Sequence, residues 1–307
     1  MKRLPALHCL FALATLAWMA NGCTSKAPDA SPKVKFITIK SENVRAIVAP
    51  ELGGRVMSLQ FNNGANVLWT NAQSKTPIGG WQNSGGEKTW IGPQENWAAV
   101  GGRGWPPPDF ADRDAFLVTN QTPTSISLLS TPDTNWNVRI SRTIEALPDR
   151  LRVTSELLPT GPLPATRITN WSVAQLPPPQ RLAVRLTGRK RFTNSMDDHT
   201  PLPEPVRLAD DKLAFDFSHV TNNGKCSFDA DLFLIDVPGG RLAIQQLGEQ
   251  PEDDLLEVPE RAQLYYGAKA SLPPDCEPYI EVEFTRPHPA SRQQIDYRFI
   301  PDAQNSH

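Results

Sequence analysis

Thirty prolines scattered through 307 residues do most to limit what this chain can become. An interior proline removes a helical hydrogen bond and clashes with the preceding turn. Long helices are therefore excluded over nearly the whole length. Between the prolines run short segments rich in Val, Ile, Leu and Thr, among them VRAIVA (44–49), RVMSLQF (55–61), SISLLS (125–130), WNVRISRTI (136–144), LRVTSELL (151–158), LFLIDV (232–237), RLAIQQL (241–247), YIEVEF (279–284) and IDYRFI (295–300). Many alternate apolar and polar residues, the mark of a strand with one face inward. The spacers, such as NNGAN (62–66), ALPDR (146–150) and VPGG (237–240), carry turn residues. More than a dozen strands without helical crossovers predict an all-β chain built as a large antiparallel sandwich. No shift of composition divides 34–301, so one domain is expected there, with a short helical turn within 205–217 and a polar tail at 302–307.

The first residues point to export. Lys2 and Arg3 precede an apolar run from Leu4 to Ala20, followed by Asn21, Gly22 and Cys23. A charged start, an apolar stretch and a small residue before a cysteine match a bacterial lipoprotein signal over 1–22, with Cys23 as the lipidated residue. Residues 23–33 are small, polar and proline-containing, as a flexible tether would be. The expected setting is the bacterial cell envelope, anchored by lipid and facing the periplasm, with the outer membrane favoured. Cys226 and Cys276 then remain in an oxidising space, where they are a candidate disulfide.

One stretch breaks the strand rhythm. Residues 71–112 hold four tryptophans, Trp81, Trp90, Trp97 and Trp105, among eight glycines from Gly79 to Gly104. So much Trp argues for an ordered connection. Indole faces stack on sugar C–H faces while polar neighbours bond the hydroxyls. Glu87, Lys88, Trp90, Gln94 and Trp97 are the expected ligand-binding residues of this segment. Against that, tryptophans of this kind also simply cap a core. Glu281 and Glu283 stand two apart in one strand and share a face, so either is a candidate general base. With 31 basic and 33 acidic residues the chain is no polycation, and no nucleic-acid partner is expected. The histidines that remain after the signal and before the terminus, His199, His219 and His288, are widely spaced, and neither a metal nor a cofactor is expected. His199 and His219 are possible acid partners of a glutamate base.

Residues VRAIVAPELGGRVMSLQFNNGANVLW (44–69) resemble the opening of galactose mutarotase-like proteins, the aldose 1-epimerases and their relatives. Pro50, Gly53, Gly54 and Asn66–Trp69 carry the likeness. GGEKTWIGPQENW (85–97) is similar to a poorly characterised branch of that superfamily, known only as a domain of unknown function. The resemblance implies a β-supersandwich with a sugar-facing cleft. It also implies a His general acid after an Asn in a central strand, and a C-terminal Glu base. Here Asn170 is followed by Trp171, whose indole cannot serve as an acid at neutral pH. The base would fall at Glu277, Glu281 or Glu283. Three readings follow: an envelope protein that binds a carbohydrate, with Trp171 on the floor of the cleft; an aldose 1-epimerase or other carbohydrate-active enzyme relying on carboxylates; and an envelope module that docks a partner protein.

Overall fold

The computed structural model describes residues 34–71, 81–187, 192–196, 199–248, 261–289 and 291–302. The expected signal, Cys23 and the expected tether lie outside the described residues. What is described belongs to one compact unit that begins at Val34. It is all-β, with two large antiparallel sheets. One has nine strands in the spatial order Ile37–Lys40, Val44–Ala49, Arg55–Phe61, Glu87–Gly92, Thr169–Leu176, Tyr279–Pro287, Ala262–Gly267, Gly224–Phe228 and Phe192–Thr193. The other has ten: Val206–Arg207, Lys212–Asp216, Arg181–Leu186, Ala230–Val237, Gly240–Leu247, Gln293–Pro301, Arg150–Pro159, Val138–Ala146, Ser125–Leu129 and Leu117–Gln121. Their inner faces enclose one apolar core that includes Val48, Leu59, Ile140, Val153, Phe233, Ile244, Val282 and Phe284.

The two sheets differ in what covers them. In the ten-stranded sheet Val138–Ala146 alternates strictly between buried and half-buried positions, as expected when one face meets water. In the nine-stranded sheet Glu87–Gly92, Thr169–Leu176 and Tyr279–Pro287 are buried at every position. Those strands carry polar residues on the face turned away from the core, and that face holds the candidate site. The helical turn expected in 205–217 is instead two short strands around Asp210 and Asp211, which take positive φ in the turn. The Trp-rich stretch is not all loop. It contributes the strand Glu87–Gly92 and two short helices, Asn96–Gly101 and Asp109–Asp112.

The expected disulfide is absent. Cys226 and Cys276 are both free and buried. Cys226 faces the main core, whereas Cys276 packs with Trp69 and Tyr279 in a separate cluster. Strand alternation puts these two clusters on opposite faces of the nine-stranded sheet, out of reach of one S–S bond.

Candidate functional site

Alternation sorts the central strands. Glu87 points inward and meets Arg142 of the opposite sheet, both essentially unexposed. Lys88, next in sequence, points outward. Its ammonium donates to Gln175 Oε1 at 2.7 Å, and Gln175 Nε2 donates to Glu281 Oε1 at 2.7 Å. One amide thus joins a buried ammonium to a buried carboxylate. Glu283, two residues on, accepts from the Trp171 indole at 2.9 Å and from Lys225 at 3.3 Å. The registers place Gln175 beside Glu281, Glu281 beside Tyr265 and Tyr265 beside Lys225. A band of charge therefore crosses four neighbouring strands.

Aromatic groups wall this band on two sides. Trp81, Trp90, Trp97, Trp105 and Trp171 form a continuous cluster with ring centroids 5.2 to 6.1 Å apart. Lys88 lies 4.9 Å from the Trp90 ring and Lys225 lies 5.4 Å from that of Trp171, both attracted by the ring face. On the other side Trp69, Tyr279 and Tyr265 pack together, and the His199 ring meets Tyr265 edge-on at 5.5 Å.

The tryptophan wall is fixed from beneath. Asp112 accepts from the indoles of Trp81 at 2.7 Å and Trp90 at 2.9 Å, and from Arg55 at 2.8 Å. Arg55 also donates to the carbonyls of Leu52, Gly85 and Asp112. Gly53, at φ +65°, lets this corner close, since a Cβ there would stand 2.2 Å from the Asp112 carbonyl oxygen. The Gly53–Gly54–Arg55 sequence is thus the clamp on the Trp segment. Arg55 and Asp112 escaped the sequence reading because 57 residues separate them and nothing in either local sequence announces the pairing.

Burial sets the electrostatics. The Glu281 carboxyl is raised to about 7, first by burial and then by the charge of Glu283, against the pull of Lys88 and Lys225. Lys88 is lowered to about 8, by burial and then by Arg55. Burial, with the two glutamates adding, also raises the Tyr265 hydroxyl.

The expected site residues fall into three groups. Lys88, Trp171, Glu281 and Glu283 converge on the outer face. Trp90 and Trp97 adjoin them, packed inside the tryptophan cluster at 2% and 0% exposure. Glu87 and Gln94 stand apart: Glu87 is sealed between the sheets, and Gln94 is exposed beyond the strand end. Glu277 is also excluded from the band, being exposed and paired with Lys269 at 3.2 Å. Gln175, Lys225 and Tyr265 join the site without having been singled out for it, and His199, a possible acid partner in the sequence reading, stands against Tyr265. Only strand register, which a single sequence does not contain, brings the first three beside Glu281. Among the described residues no group of three His, Cys, Asp or Glu side chains could hold a metal ion.

No family model and no curated protein matches the sequence. Solved structures do match. A candidate aldose 1-epimerase from Escherichia coli K12 superposes with a TM-score of 0.53 at 12% identity, covering 88% of this chain and 100% of that one. A Synechocystis sp. PCC 6803 protein gives 0.54 at 9%, covering 88% and 97%. A galactose mutarotase related enzyme from Lactobacillus acidophilus gives 0.51 at 9%, covering 88% and 99%. The fold is galactose mutarotase-like. Within this galactose mutarotase-like sandwich the nine-stranded sheet, with central strands buried on both faces, is the one that carries the charged band.

Proposed function

We propose that the protein takes a carbohydrate on the outer face of the nine-stranded sheet and transfers protons there in the manner of an aldose 1-epimerase. Glu281 is the general base that removes the proton of the anomeric hydroxyl. His199 is the acid that protonates the ring oxygen, so that the ring opens and recloses in either anomeric form. The observation that carries this reading is the chain Lys88–Gln175–Glu281, closed by two bonds of 2.7 Å. It holds one carboxylate oriented in a buried band, near neutrality, where proton transfer in both directions is cheap. Glu283 is already held by an indole and an ammonium, which favours Glu281 as the base. An imidazole protonates oxygen at neutral pH, which an indole does not. His199 on Tyr265 therefore fills the role that Trp171 cannot.

The test is mutarotation of α-glucose and α-galactose followed by polarimetry. The expected result is acceleration proportional to protein concentration, lost by about 10²- to 10⁴-fold in Glu281→Gln and His199→Gln. Full activity in Glu281→Gln would remove it as the base. Trp171 in place of an acid favours a second reading, binding without turnover; that reading is expected to give saturable sugar binding by calorimetry and no acceleration. The envelope setting is part of the proposal: the signal-like residues 1–22 and Cys23 support a lipid anchor facing the periplasm.

A further inference from the structure

The strands Tyr279–Pro287, Ala262–Gly267 and Gly224–Phe228 lie side by side. Their registers set Glu283 opposite Gln263, and Gln263 opposite Ser227. The flanking residues Val282, Phe284, Ala262, Leu264, Cys226 and Phe228 all enter the main core. Alternation therefore turns Glu283, Gln263 and Ser227 to the outer face. They are 0%, 7% and 0% exposed. Each has a buried oxygen with no hydrogen-bond partner among the described residues: Oε1 of Glu283, Oε1 of Gln263 and Oγ of Ser227.

A buried oxygen left without a donor is costly, and folded proteins carry few of them. Here three fall in one line across adjacent strands, with neighbouring Cβ atoms about 5 Å apart. The other oxygen of Glu283 is satisfied by Trp171 and Lys225, so the vacancy is specific to one side of the carboxylate. Two of the three unmet atoms accept only, and the hydroxyl accepts as readily as it donates. What completes the line is a set of donors that the described residues do not supply.

We propose that Gln263 and Ser227 are specificity-determining residues of this face, each bonding one hydroxyl of a bound sugar. This rests on the reading of the face as a carbohydrate site. The ligand class is a polyol with at least two free hydroxyls directed away from the reacting carbon, toward the Gly224–Phe228 strand. A sugar deoxygenated at either position leaves a buried oxygen unmet and is discriminated against.

Calorimetry on the full chain tests this with glucose, galactose and their 2-, 3-, 4- and 6-deoxy forms, against the wild type, Ser227→Ala and Gln263→Met. The wild type is expected to bind two of the deoxy sugars about 3- to 10-fold more weakly than the parent. Each variant is expected to weaken the parent by a similar factor while binding one deoxy sugar as well as the wild type does, a different one for each variant. Melting temperatures without sugar are expected to hold or rise, because an unmet buried oxygen has been removed. Variants that bind every sugar like the wild type, or that lose all of them by one factor, would overturn the assignment while the site reading stands. Equal binding of all deoxy sugars by the wild type would do the same without any variant. A wild type that binds no sugar would overturn the site reading and this proposal together.

Discussion

Glu281 behaves as it does because it is buried and because of where its neighbours' charges sit, not because of its own chemistry. A carboxylate must be ionised to accept a proton, so activity is expected to rise as pH climbs through about 7. The charge of Lys88 pulls that midpoint down while burial and Glu283 push it up. Lys88→Met removes the pull and leaves Gln175 without its donor. The midpoint of the rising limb is then expected to move to higher pH, with the rate at its plateau falling much less. A pH–rate profile in which both forms share one midpoint would show that Lys88 does not act on Glu281. That Glu281 and Glu283 face the same way was legible in YIEVEF, because the period of a strand is two. That their side of the strand is buried was not, since its cover comes from residues far away in the chain.

At the level of strands, alternation carried most of the fold. Val44–Ala49, Arg55–Phe61, Ser125–Leu129 and Gly240–Leu247 lie where the apolar rhythm puts them, give or take a residue. Glu87–Gly92 was hidden because it is buried on both faces, so polar Glu87, Lys88 and Thr89 sit inside and no alternation appears. Its tryptophans suggested an open sugar-stacking surface; Asp112 instead draws their indoles inward. The same strand is joined to the opposite sheet through Glu87 and Arg142. Breaking such a buried pair from one side leaves a lone charge, so Arg142→Met is expected to cost about 3–5 kcal/mol. Adding Glu87→Leu is expected to recover most of that loss. Urea unfolding of the two forms measures both steps, and equal midpoints for the single and double variants would mean that the pair is not the cause.

For the molecule as a whole, the proposed anchor and the sandwich divide the work between place and chemistry. Cys23→Ser is expected to move the protein from the detergent phase to the aqueous phase while its sugar binding stays intact. Retention in the membrane fraction would assign attachment to something other than that thiol. One feature of the sandwich also has an optical consequence. Of eight tryptophans in the chain, five stand in a single cluster with rings 5.2 to 6.1 Å apart, mostly edge to face. Transition dipoles that close and that fixed couple, and a coupled, asymmetric array gives a strong near-ultraviolet circular dichroism signal. Its shape depends on the mutual angles of these few rings rather than on strand content. The protein thus contains its own chiral antenna beside the charged band, and the antenna reports on the wall of the site.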